Sequence, residues 1–185
     1  MADKKTHFGR AGEYFAMSEL LLRGWNVAVP VVDVGDDVFV IDDKDKTTFR
    51  LQVKSASGAT STTSEGVSVV ATFALSRSQL RTPQPIELFF MLMVRVNGAW
   101  RYLIIPREDL LSIRDNFVDG PKSGKRGRPA LPDDVAKTDS LVLTVVIKSS
   151  QASAWDGDLS NYIDTWPDSL APVEDGPGTV GQSNA

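Results

Sequence analysis

Gly35-Asp36-Asp37-Val38-Phe39-Val40-Ile41, followed across the charged segment 42–48 by Phe49-Arg50-Leu51-Gln52-Val53-Lys54, is the stretch that decides the reading. Val38 to Ile41 is a short apolar run of the kind a buried strand shows. Phe49 to Lys54 alternates. A side-chain period of two puts Phe49, Leu51 and Val53 on one face and Arg50, Gln52 and Lys54 on the other. Antiparallel pairing of the two runs, joined by the turn at 42–48, would bring Asp37 near Gln52 and Lys54. An acid ahead of a buried strand would then face an amide and a lysine on the next one.

Upstream, Phe8 to Arg23 predicts a helix, with Phe8, Ala11, Phe15 and Leu22 on one stripe and Tyr14 and Leu21 beside it. Gly24 is a natural stop. Glu13 lies on this helix near Gly9 and Gly12, small residues that let a helix come close to a sheet or ligand. Trp25 to Val34 predicts a strand bent at Pro30. Downstream, residues 55–66 are rich in Ser, Thr and Gly and predict a mobile loop. Strands are expected over 67–73, 86–96, 100–105 and 141–148, with Asn97-Gly98 as a hairpin turn. Helices are expected over 76–81 and from Pro106 to Phe117. Leu159, Tyr162, Ile163 and Trp166 have helical spacing and predict a short closing helix. The four tryptophans read as core or staple residues. This order of elements gives an α/β fold, a mixed central sheet flanked by helices. Residues 1–166 form the expected domain, and the acidic Gly/Pro/Ser-rich residues 167–185 a disordered tail.

Composition removes several chemistries. The 185 residues contain no cysteine and one histidine, His7. Disulfides, thiol nucleophiles, Cys- or His-built zinc sites and Ser-His-Asp triads therefore lack parts. A metal site must use oxygen donors, which favours Mg²⁺, Mn²⁺ or Ca²⁺. No apolar run is long enough to span a membrane, and the polar N-terminus predicts a cytoplasmic protein. The formal net charge is −4, unusual for a nucleic-acid binder. It is unevenly spread, since residues 121–129 hold Lys122, Lys125, Arg126 and Arg128 and no acid. Such a loop can engage phosphates whatever the total.

Taken singly, the motif residues have plainer roles. Asp36-Asp37 could be a turn before a strand, Gln52 and Lys54 the solvent face of an edge strand, Glu13 an exposed helix acid. Together, Gly12-Glu13, Asp37 and Gln52-Val53-Lys54-Ser55 resemble the PD-(D/E)xK nuclease superfamily, in the Gln-x-Lys branch that includes a cyanobacterial group I intron homing endonuclease. Archaeal Holliday-junction resolvases are a looser likeness. The resemblance covers about residues 6–58 and implies a restriction-endonuclease-like core.

It implies further that Asp37 is the central metal ligand, with the Gln52 side-chain carbonyl and the Val53 main-chain carbonyl beside it. Lys54 would be the catalytic lysine and Glu13 an outer ligand. Mg²⁺ or Mn²⁺ would be the cofactor, DNA the substrate, and a dimer or tetramer the assembly. The chain departs from the pattern in two places. Gln52 replaces an acid, and Gly35-Asp36 stands where a proline is usual, which makes Asp36 a rival ligand. A nuclease-fold module that binds nucleic acid or a protein partner without cutting is the alternative.

Overall fold

Helix α1 (Lys4–Leu22) ends at Gly24, whose φ of +83° suits a residue without a side chain. The Gly24 N–H donates to Leu21 O and the Trp25 N–H to Leu20 O, and Leu20 and Trp25 enter the same core. The computed structural model describes residues 4–32, 35–42, 46–64, 66–119 and 138–173. Strands β1 (Asn26–Ala28), β2 (Val38–Asp42) and β3 (Thr47–Ser57) follow, then β4 (Ala59–Thr63), β5 (Gly66–Ser76) and α2 (Arg77–Arg81). After these come β6 (Leu88–Val96), β7 (Ala99–Pro106), α3 (Arg107–Asp119), β8 (Ser140–Lys148), β9 (Gln151–Ala154) and β10 (Gly157–Asp158).

The strands form two five-stranded sheets, ordered β1-β2-β3-β6-β7 and β10-β9-β8-β5-β4. The first is mixed. β2 and β3 are antiparallel, β3 and β6 parallel, β6 and β7 antiparallel. The fold is thus α/β around a mixed sheet. One face of that sheet packs on α1: Phe49, Leu51, Val53, Phe89, Met91 and Met93 meet Ala16 and Leu20. The opposite face packs on the second sheet, where Leu88, Phe90, Leu92 and Val94 meet Phe73, Leu75, Leu143 and Val145. β6 is buried on both faces, which explains its unbroken apolar run. The chain crosses from β3 into the second sheet at Gly58. A Cβ there would stand 2.5 Å from Val69 Cγ1 and 2.9 Å from Val94 Cγ1.

Several expectations change. The Ser/Thr-rich stretch read as a loop is the end of β3 plus β4, paired with β5 from Ala59 to Thr63. Polar β-branched residues suit an exposed edge strand. The strand after Trp25 is only Asn26–Ala28, and the chain leaves the sheet ahead of Pro30, which has no N–H to donate. The α1 stripe is also different. Leu22 is 81% exposed and Tyr14 66%, whereas Gly12, Ala16 and Leu20 are buried. At Gly12 the helix lies so close to β3 that a Cβ would collide with Ser55 Oγ. Small residues make this contact, so a stripe chosen by side-chain size points the wrong way.

The closing helix is one 3₁₀ turn, Ser160–Tyr162, and Ile163 instead bridges to Leu103. Asp164, at φ +51°, cannot continue a helix. The packed domain also runs past Trp166. Leu170 is fully buried, the Trp25 Nε1–H donates to Ala171 O at 2.9 Å, and the Val173 N–H donates to Arg23 O at 2.8 Å. The rest of the expected tail, 174–185, lies outside the described residues. Among the described residues no helix is long and apolar enough to cross a membrane.

Leu170→Ala should therefore lower unfolding free energy by about 2–5 kcal/mol, the usual range for emptying a buried leucine site. Urea denaturation reads the change. A loss below about 0.5 kcal/mol, the level of an ordinary surface substitution, would mean the segment is not part of the core.

Candidate active site

Asp37 stands immediately before β2, and its N–H donates to Leu51 O at 3.0 Å, which adds a rung to the β2–β3 ladder. Its carboxylate turns onto β3. Oδ2 accepts the Val53 N–H at 2.7 Å and also a hydrogen of Gln52 Nε2. The pairing expected from alternation is the pairing found. β3 lies between β2 and β6, and Gln52 is 3% exposed, so this is not the solvent face of an edge strand.

Asp36 is engaged elsewhere. It is 4% exposed, and both of its oxygens are taken by Arg50, with Nε to Oδ2 and Nη2 to Oδ1 each at 2.8 Å. Arg50 also donates to Gln84 Oε1. A bidentate guanidinium–carboxylate pair is geometrically specific and strong when desolvated. It anchors the segment that delivers Asp37. Of the two neighbouring acids, Asp37 is the one bonded to Gln52 and Val53.

The Gln52 amide is presented with its nitrogen toward Asp37. Its Oε1 points the other way and accepts from Gln79 Nε2 at 3.0 Å. Gln79 Nε2 donates in addition to Gly35 O. Gly35 holds φ +91°, and a Cβ on it would stand 3.3 Å from Gln79 Nε2. A residue with a side chain would be strained there and crowded against Gln79. Lys54 is half-buried two residues beyond Gln52 on the same strand face.

Glu13, on α1, has a side chain 15% exposed and pairs with Arg10 Nη1 at 2.5 Å. The Arg10 guanidinium is held above its usual value first by the hydrogen bond to Glu13, then by Glu13's charge, with a smaller contribution from Asp37. Arg10 thus lies in the field of both acids. The close approach of α1 to β3 at Gly12 and Ser55 sets this geometry. Lys122, Lys125, Arg126 and Arg128 lie outside the described residues.

Two residues join the site that the motif does not contain. Arg10 carried a usable signal, its i, i+3 spacing to Glu13 on a helix. Gln79 carried none, because α2 reaches β3 only through the fold. Its placement depends on capping. Ser76 Oγ accepts the Gln79 N–H at 3.1 Å, and Asp139 accepts from Ser76 Oγ at 2.6 Å and from the Ser78 N–H at 2.7 Å. These bonds, the Ser76 hydroxyl first, hold the Asp139 carboxyl below the ordinary aspartate range.

As possible metal donors the site offers the carboxylates of Asp37 and Glu13, the Gln52 side-chain oxygen and the Val53 main-chain carbonyl. All are hard oxygens, which fit Mg²⁺ or Mn²⁺ and disfavour zinc. Among the described residues no three His, Cys, Asp or Glu side chains gather as a metal cluster. Amide and main-chain oxygens would therefore have to complete the set. A separate acidic group, Glu87 with Glu108 and Asp109, lines a cleft at the first turn of α3. There burial, and then the charges of Glu108 and Asp109, push the Glu87 carboxyl up.

No family model matches the sequence, and no curated protein matches it. Among solved structures, the bacterial homing endonuclease I-Ssp6803I aligns with 68% of this chain and 84% of its own, at 19% identity and a TM-score of 0.41. A likeness this distant assigns no residue a role.

Asp36→Ala would strand Arg50 and should cost about 3–5 kcal/mol of stability, as expected for breaking a buried pair. Asp37→Asn keeps an acceptor for the Val53 N–H and should cost only about 1 kcal/mol. Equal losses in urea denaturation would contradict this division of roles. The Asp139 carboxyl is depressed in the folded state, so its stabilising contribution is present above the unfolded aspartate value of about 3.9 and is lost as pH falls through the folded value. Asp139→Asn should flatten the acid limb of the stability–pH curve below about pH 4. An unchanged acid limb would show that this cap is not formed.

Proposed function

We propose that this chain is a metal-dependent endonuclease that hydrolyses phosphodiester bonds in DNA. The observation that carries the reading is the seating of the Asp37 carboxylate on Gln52 and Val53, directly before Lys54. This support is independent of which residues look polar or exposed, because Gln52 is buried and β3 is an inner strand. The resemblance to the PD-(D/E)xK superfamily rests on the same residues.

Asp37, Gln52 Oε1, the Val53 carbonyl and Glu13 would hold Mg²⁺ or Mn²⁺. A bound ion of this kind polarises a phosphate oxygen and lowers the pKa of an attacking water. Lys54 would place its ammonium beside the phosphate and stabilise the negative charge that builds as water adds to phosphorus and the bond to the leaving oxygen breaks. Arg10 would orient Glu13. Lys122, Lys125, Arg126 and Arg128 would contact the DNA backbone, making binding fall with salt. Cutting both strands of a duplex calls for two such sites, so the proposed assembly is a dimer or tetramer.

One observation favours a second reading, a module of the same fold that binds nucleic acid or a protein without cutting. The face that Gln52 shows to Asp37 is an amide nitrogen, a group that repels cations.

A cleavage assay on supercoiled, branched and single-stranded DNA, with Mg²⁺, Mn²⁺ and EDTA lanes, separates the two. The nuclease reading predicts metal-dependent nicking that drops by about 10²-fold or more in Lys54→Ala, the scale of losing one charge-stabilising donor. Salt-sensitive binding without nicking by a folded protein would favour the module.

A further inference from the structure

A directional chain of amides controls Gln52. Gln79 Nε2 donates to Gly35 O and to Gln52 Oε1, and Gln52 Nε2 donates to Asp37 Oδ2. A main-chain carbonyl can only accept. Gly35 O therefore fixes which end of the Gln79 amide faces it, and Gln79 in turn fixes the Gln52 amide. The oxygen of Gln52 is held away from Asp37 and its NH₂ is held toward it.

We infer that Gln79 is a positioning residue that latches the Gln52 amide in an orientation closed to cations. The inference rests on the metal-dependent reading above and explains how a glutamine can stand at a ligand position. For Gln52 Oε1 to face a cation beside Asp37, the amide must turn by half a rotation. Its NH₂ then meets the Gln79 NH₂, donor against donor. The clash is relieved only if Gln79 also turns, and Gln79 then gives up Gly35 O. Gln52 is buried and Gln79 half-buried, and a polar group shielded from water without a partner is costly, so the two amides turn together. The latch thus opposes metal binding in the resting protein.

The latch has an unusual signature, because Gln79 acts with opposite sign on the two residues a PD-(D/E)xK-like site could hold here. With Gln52, Gln79 pulls the only side-chain oxygen away from the cation. With Gln52→Glu, the carboxylate has two oxygens. One can accept from Gln79 Nε2 while the other faces the cation, so Gln79 now supports binding. Gln79→Met, which removes both donor and acceptor at similar length, should therefore raise affinity in one background and lower it in the other.

The test compares wild type, Gln79→Met, Gln52→Glu and the double variant. Mn²⁺ affinity is read by electron paramagnetic resonance of the free ion. Gln79→Met should tighten Mn²⁺ binding several-fold in the wild-type background and weaken it several-fold in the Gln52→Glu background. A change of the same sign in both, or no change in either, overturns the latch. A metal-free measurement keeps this result separate from the metal reading. Gln52 Nε2 and Val53 N donate to the same oxygen, so their hydrogens are close enough for a nuclear Overhauser effect. That effect should be present in wild type, where the Asp37 carboxylate and Gln79 both favour it. In Asp37→Ala only Gln79 holds the amide, so the effect should survive there and be lost or weakened when Gln79→Met is added. If no variant binds Mn²⁺ but the effect behaves in this way, the latch stands as a conformational device and the metal reading fails. If the effect is absent in wild type, or is the same in Asp37→Ala with and without Gln79→Met, the latch is wrong whatever the metal does.

Discussion

The buried pair between Asp36 and Arg50 ties the segment before β2 to the face of β3 that carries the motif. Arg50 is two residues before Gln52 on that face. The pair fixes the register in which the next residue, Asp37, meets Gln52 and Val53. A slip of one residue would turn Gln52 and Lys54 toward α1 and bury their polar groups in the core formed by Phe49, Leu51 and Val53. Ion pair and apolar alternation therefore enforce the same register, one from each side of the strand. The ion pair also uses up the rival acid. A doubled aspartate thus serves two purposes, one residue holding the chain and the other presented to the site.

The central part of this arrangement was readable from residue order. Val38–Ile41 and Phe49–Lys54 have clear strand patterns, and their antiparallel pairing through a charged turn follows from local constraints. The Asn97-Gly98 hairpin was equally plain, since both residues take positive φ. What was not readable depended on long-range packing. The second sheet takes its edge from a Ser/Thr-rich strand that has no apolar side, and only pairing with β5 makes it a strand. The α1 contact is made by small residues, so its direction emerges only when β3 is placed against Gly12. Leu170 lies in a proline-flanked stretch, Pro167 to Pro172, with neither strand nor helix periodicity, and its burial follows only once the core of α1 and Trp25 is formed.

The site divides in the same way. Asp37, Gln52, Val53 and Lys54 come together through neighbouring strands, so spacing sufficed. Glu13 needed the α1–β3 approach, and Arg10 came with it. Gln79 needed a helix from the crossover between β3 and β6, capped by Ser76 at the end of β5 and by Asp139 just ahead of β8. The same crossover is why β3 and β6 are parallel. Gln79 therefore couples the placement of the second sheet to the chemistry of the first. The amide orientation that results is the one feature that a motif, as a string of letters, cannot contain.

The most direct measurement of the central claim is where a divalent ion binds. In two-dimensional ¹H–¹⁵N spectra of the full chain, sub-stoichiometric Mn²⁺ broadens amide signals near its site. The account predicts broadening centred on Asp37, Gln52, Val53 and Lys54, reaching Glu13 and abolished by Asp37→Asn. Broadening centred instead on Glu87, Glu108 and Asp109, and unchanged by Asp37→Asn, would contradict it.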